Sequence, residues 1–200
     1  MGSARQDMSG FPGFAKLRAG HELFMVQVGR QPDDWKPVSS VGAGVCEIRV
    51  RDETGQFRVI YVASFRTAIY VLHAFQKKSR KTSGANLKLA RKRCREARAM
   101  ESEGWIMTKR VTKSSGNIFL DLGFPAHEAS VMLLRAQLAE ALRKWMEREH
   151  LAQAQAAKRL GIAQPRISEI VRGKVELMSL DYLVGLCAKA KVDVGLRLAA

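Results

Sequence analysis

VCEIRVRDETGQFRVIYVASFRTAIYVLHAF, residues 45–75, decides how the first half of the chain folds. Three short runs inside it, VCEIRVRD, FRVIYVASF and AIYVLHAF, are β-branched and aromatic-rich and are parted by DETGQ and RT. That texture predicts a three-stranded antiparallel meander. Alternate residues of a strand share a face. With even-length hairpin loops, Glu47, Arg49, Arg51, Arg58, His73, Phe75 and Lys77 gather on one side. Cys46, Ile48, Val50, Phe57, Val59, Tyr61, Tyr70 and Leu72 form the core side. The first hairpin is expected to set Arg51 opposite Arg58 and Arg49 opposite Ile60. The second sets Ile60 opposite His73 and Arg58 opposite Phe75. Opposed arginines repel and cost stability. A face that holds phosphate would tolerate this, with Phe75 as a stacking surface for a base. A solvated charged face that resists edge-to-edge aggregation would tolerate it too. Spacing alone does not choose between them.

Outward from the strands, Phe14, Leu17, His21, Leu23 and Val26 give a loose helical spacing over Phe14 to Val28, which Gly29 ends. QPDDWKP reads as a loop. After the strands comes KKSRKTSG, a basic loop, and then a basic helix from Leu87 to Met100. Helix, strands and helix give an α+β module over residues 1–103. The texture changes near Gly104, so 104–116 is expected to be a linker. Residues 117–200 then read as an all-helical module. Its long amphipathic helix carries Val131, Leu134, Leu138, Leu142 and Trp145 on one stripe. Ser179 suits the N-cap of a later helix, SLDYLVGLCAKA. VDVGLRLA is expected to close the chain as a short strand.

The net charge is +15, and both halves are basic. Polyphosphates are the first partners to expect of such a chain. Cys46, Cys94 and Cys187 are far apart and odd in number, and the histidines have no metal-ligand spacing. Neither a disulfide framework nor a zinc site is expected, and a reducing cytoplasm fits. The apolar runs are too short or too interrupted for a membrane span. MGSARQDMSG has no apolar core of the kind a signal peptide needs. No cofactor motif is present, so no cofactor is expected.

LAQAQAAKRLGIAQPRISEIVRGK, residues 151–174, is the strongest local motif. Ala156 and Leu160 suit contacts between paired helices. Gly161 allows a tight turn, and Ile162 packs beneath it. Pro165 falls in the first turn of the next helix. Ile167 and Ile170 face the core, while Gln164, Arg166 and Glu169 point outward. Gly173 ends the second helix. The pattern resembles the XRE/Cro-like helix-turn-helix family, and residues 117–199 resemble HigA-type antitoxins, with SSGNIFLDLGFP and GKVELMSLDYLVGL supporting that subtype. The resemblance implies that the second helix enters the major groove N-terminus first. Gln164 and Arg166 would then read adenine and guanine. Gln153, Ser168, Arg172 and Lys174 would touch phosphates. Operator repression implies a homodimer through this module. Ala152 stands where the family commonly has Thr or Ser, which loses an N-cap worth ~1 kcal/mol.

Most of residues 7–100 resembles the phage-derived, HigB-like branch of the RelE toxin superfamily. DWKP, EIRVRD, FRVIYV and YVLHAFQKKS carry the likeness together. It implies a small α+β endoribonuclease that cuts messenger RNA on the ribosome. The RNA 2′-hydroxyl attacks its own 3′ phosphate, so no metal is needed. The resemblance assigns Arg58 as leading phosphate stabiliser, supported by Arg49. Lys77, Lys78 and Lys81 would hold RNA and tune protonation, with Arg51 and Phe75 also on the RNA. His73 is either the acid–base group or a core or stacking histidine. Glu47 is either a base or an ion-pair partner. Toxins of this type usually begin with a β-strand, whereas GSARQDM already resembles the start of the first helix. An open sheet edge is therefore expected, to be filled by Asn117 to Leu122 or by VDVGLRL through strand addition. Together the two likenesses suggest a toxin joined to its antitoxin, or a DNA-binding regulator with a decayed toxin fragment.

Overall fold

Asp52 sets the register on which the site depends. In a computed structural model that describes residues 3–63, 68–79, 82–102 and 112–195, its Oδ1 accepts from the amides of Thr54 (2.8 Å) and Gly55 (3.1 Å) and from the Thr54 hydroxyl (2.6 Å). Gly55 follows with φ 142°, a backbone angle that side chains resist. This closes a tight hairpin between β2 (Val45–Asp52) and β3 (Gly55–Val62), with Asp52 paired to Gly55. Arg49 therefore stands opposite Arg58, and Glu47 opposite Ile60. The expected pairing of Arg51 with Arg58 is off by two residues, because the loop is only Glu53 and Thr54. A slip of two leaves every side chain on its expected face.

β4 (Tyr70–Gln76) pairs with β3 as anticipated at Arg58 with Phe75 and Ile60 with His73. The register then shifts between Ile60 and Tyr61, so that Tyr61 meets Val71 and Val62 meets Tyr70. This bulge moves side chains across the sheet. Tyr70 and Leu72, expected on the opposite face, instead pack with Val45, Ile60 and Val62. The RT turn lies outside the described residues.

Among the described residues the sheet is four-stranded and antiparallel, in the order β1-β2-β3-β4. β1 (Trp35–Pro37) comes from the stretch read as a loop. Trp35 pairs with Ile48, and the Arg49 amide donates to the Asp34 carbonyl at 2.8 Å. Pro37 lacks a donor, which an edge strand tolerates.

Two helices precede the strands, α1 (Ala4–Ser9) and α2 (Gly13–Gln27). α2 packs on β2, while Phe11, just before it, meets Phe57 with ring centroids 4.8 Å apart. α1 packs along β4. On the other face, α3 (Gly84–Ser102) brings Ala90, Cys94 and Ala97 onto Ile60, Val62 and Tyr70. That spacing makes one helical stripe, and its small side chains let the helix sit close. Arg93 is buried; it donates to the Leu72 carbonyl (2.8 Å) and to Ser3 Oγ (2.9 Å).

No strand is added by Asn117 to Leu122. Asn117 Oδ1 accepts from the amides of Phe119 (3.0 Å) and Leu120 (3.3 Å), which starts a helix. The segment becomes α4 (Ile118–Asp121), packed on α2. Val192 to Gly195 are irregular, and the remainder of VDVGLRLA lies outside the described residues.

The chain divides into two compact units between Phe124 and Pro125. The expected boundary at 116/117 thus falls inside the first unit. The second unit holds α5 (Ala126–Arg148), α6 (Gln153–Leu160), α7 (Gln164–Val171) and α8 (Leu180–Lys189). Leu138, Leu142 and Trp145 of α5 meet Leu160, Ile167, Ile170, Leu183 and Leu186 in one core. Ser179 caps α8, its Oγ accepting from the Tyr182 amide at 3.2 Å.

Candidate nucleic-acid interfaces

In the first unit, three cations converge on one carboxylate oxygen. Glu47 Oε1 lies 3.3 Å from Arg58 Nε, 3.6 Å from Arg49 Nε and 3.7 Å from Lys36 Nζ. Arg49 also reaches Asp34 at 3.4 Å. Glu47 offsets the repulsion that opposed arginines create. Arg58 is 3% exposed and Glu47 2%. Arg58 Nη1 donates to the Phe57 carbonyl (2.8 Å) and Nη2 to Gln56 Oε1 (2.9 Å). Its buried Nε makes no hydrogen bond despite the nearby carboxylate. Burial pulls the Arg58 guanidinium below its ordinary pKa, and Glu47 opposes that shift.

The other expected site residues surround this cluster unevenly. Arg51 pairs with Gln56 across the hairpin end and is exposed. Lys77 continues the ladder, its amide donating to the Gln56 carbonyl at 2.7 Å. Lys78 is exposed beyond the strand, and Lys81 lies outside the described residues. His73 is buried. Its Nδ1 lies 3.3 Å from Asp7 Oδ2 of α1 and its Nε2 3.2 Å from Asn86 Oδ1 of α3. With both ring nitrogens engaged, its geometry suits a clamp between two helices better than a proton carrier. Phe75 packs on the His73 ring, centroids 5.2 Å apart at 32°, and is half-buried.

Sequence reading missed Lys36, Asp34 and Gln56. DWKP belongs to the toxin-like motifs, but nothing in it signals that β1 pairs with β2 and carries Lys36 to Glu47. Among the described residues, no group of three or more His, Cys, Asp or Glu side chains could hold a metal ion. No helix among them is long and apolar enough to cross a membrane.

In the second unit the expected base-reading residues sit at the start of α7. Gln164 and Arg166 are exposed, while Ile167 and Ile170 anchor the opposite side of the helix. Gln164 Nε2 donates to Gln153 Oε1 at 2.8 Å, tying the first residue of α7 to the first of α6. Arg166 Nη1 donates to Glu169 Oε2 at 3.0 Å. Arg172 Nε donates to the Ser168 carbonyl at 3.3 Å. Lys174 is exposed, and Ser168 is half-buried. Gly161 (φ 68°) and Gly173 (φ 63°) take the left-handed backbone that ends α6 and follows α7. Ala152 gives α6 no side-chain cap; Gln155 Oε1 instead accepts from the Ala152 amide at 2.8 Å. That is half of a capping box.

The geometry defines a two-unit protein, an antiparallel α+β unit followed by a helix-turn-helix unit. Comparison with protein families agrees. Residues 6–95 match the family described as Phage derived protein Gp49-like, and residues 118–198 match the family described as Helix-turn-helix domain. No curated protein and no solved structure matches the chain. The chain joins a Gp49-like domain to a helix-turn-helix domain.

Proposed function

We propose that the chain is a toxin–antitoxin fusion, with a HigB/RelE-like endoribonuclease in the first unit and a HigA-like, XRE-type repressor in the second. The observation that carries the enzyme half is the convergence of Lys36, Arg49 and Arg58 on Glu47 Oε1. Cations held in place beside a scissile phosphate can stabilise the charge of a phosphorane. Glu47 would accept the proton of the RNA 2′-hydroxyl as its oxygen attacks phosphorus. The bond to the 5′ oxygen then breaks, and that oxygen takes a proton from water, while Glu47 gives its proton back to solvent. The products are a 2′,3′-cyclic phosphate and a 5′-hydroxyl end. No metal or other cofactor enters this scheme. Arg51, Lys77, Lys78 and Lys81 would guide messenger RNA, on the ribosome, toward the cluster. Glu47, Asp34 and Gln56 hold these cations within the first unit itself, so silencing of the intact chain would come from the second unit, as an antitoxin neutralises its toxin.

The second unit would bind operator DNA in the cytoplasm as a homodimer. Gln164 and Arg166 would read base edges, and Gln153, Ser168, Arg172 and Lys174 would hold phosphates. A test pairs the two halves. The full chain should retard operator DNA in a gel and leave RNA intact. Residues 1–124 should cut messenger RNA on translating ribosomes, and Arg49→Ala should abolish the cutting.

A second reading has its own observation. Arg58 is buried and bonded on both terminal nitrogens, which suits a domain that keeps its charges for folding. The chain would then be a DNA-binding regulator with a spent nuclease. Folded residues 1–124 that leave messenger RNA intact on translating ribosomes would favour it.

A further inference from the structure

The family match and the fold disagree about where the second unit begins. The helix-turn-helix match starts at residue 118, yet the compact units divide between Phe124 and Pro125. Residues 118–124 therefore belong by sequence to the second domain and by packing to the first.

That packing is substantial for so short a segment. Phe119 is 1% exposed and Leu122 2%. They close over Gly20 of α2 so tightly that a Cβ there would meet Leu122 Cδ1 at 3.0 Å and Phe119 Cδ1 at 3.1 Å. Glycine at this position lets the segment approach the helix backbone. Phe124 lies under Lys16 of α2, whose Nζ is 4.6 Å from the ring centroid. Asp121 is buried among donors: Ser114 Oγ and the Ser115 amide reach its carboxylate, and Arg5 of α1 donates to its carbonyl. Asn117 caps the turn.

We propose that residues 112–124 form a docking segment that binds the surface of α1 and α2, and that this grip holds the second unit to the first without the covalent link through residues 103–111. The surface selects a short capped turn with an aromatic and a leucine on one side and an aspartate at its end, the pattern NIFLDLGF. α2 packs on the sheet through β2, and the segment's contacts among the described residues run to Arg5, Lys16 and Gly20 rather than to the Glu47 cluster. The docking is thus independent of whether the first unit cleaves RNA.

Two cuts in the full-length protein test this. In one version a specific protease site replaces part of residues 103–111; in the other it is inserted between Phe124 and Pro125. Circular dichroism before cleavage confirms that both versions are folded. After the first cut the two pieces should co-elute on gel filtration at micromolar concentration in a one-to-one ratio. After the second cut they should separate, since the docking segment now stays with the first unit. Separation after the first cut would overturn the proposal. Co-elution after the second cut would overturn it as well, because another surface would then be joining the units.

Discussion

Arg58 and Arg166 carry the same guanidinium into opposite settings. Arg58 sits on the third strand of the described sheet, 3% exposed, against a carboxylate that is itself buried. Arg166 stands on the outer side of α7, with 53% of its side chain exposed and Glu169 its ion-pair partner. A buried charge pair is tied to folding, because removing one member strands the other in a medium that cannot solvate it. An exposed pair contributes little to stability and exchanges partners freely. The first region can change its chemistry only by disturbing the sheet. The second can offer its charge to a ligand at small cost.

The largest effect that would break this contrast is on stability. Arg58→Ala should destabilise the first unit by about 3 kcal/mol in urea unfolding, since Glu47 loses its nearest, most buried cation and keeps only the more exposed Arg49 and Lys36. Combining it with Glu47→Leu should cost less than the sum of the two single changes. A loss near zero for Arg58→Ala would mean that the pair is not buried in solution. Arg49→Ala should fall between the two extremes, at about 1–2 kcal/mol, because its side chain is 29% exposed and Asp34 stays near water. That makes Arg49, rather than Arg58, the cleaner probe of RNA cleavage.

On the other region, Arg166→Ala and Gln164→Ala should each weaken specific DNA binding by about 1–3 kcal/mol in fluorescence titrations and relax base preference at one position. Unfolding of the second unit should change by no more than about 0.5 kcal/mol. A large stability loss instead would show that the bond from Gln164 to Gln153 holds α6 and α7 together. The smallest effect belongs to Lys174→Ala. It should weaken all sequences alike and lower the slope of log affinity against log salt by roughly 0.9.

What the sequence disclosed follows the same divide. The helix-turn-helix was legible because Gly161, Pro165 and Gly173 each mark a backbone requirement, and the exposure of Gln164 and Arg166 follows from helical period. β2, β3 and β4 were legible from alternation, and Arg49 and Arg58 share a face whatever even loop joins them. Depth was not legible, since alternation assigns a face and says nothing of what covers it. β1 is three residues ending in proline, too short for periodicity, and it brought Lys36 unannounced. The bulge after Ile60 leaves no mark in composition, yet it decides where Tyr70 packs. NIFLDL carries β-forming residues, and only the Asn117 cap betrays a helical turn. Its docking on α2 depends on Gly20, nearly a hundred positions earlier.

The fusion reading turns on whether the cations gathered on Glu47 act on RNA. Residues 1–124 retain α4 and hence the full packing of that unit, which residues 1–103 would lack. The direct measurement is cleavage of messenger RNA on translating ribosomes by purified residues 1–124, folded by circular dichroism, beside the same fragment with Arg49→Ala and beside the full chain. The account predicts cut messenger RNA with 2′,3′-cyclic phosphate ends from the first and intact RNA from the other two. Intact RNA from all three would contradict it, and would leave the helix-turn-helix as the working part of the molecule.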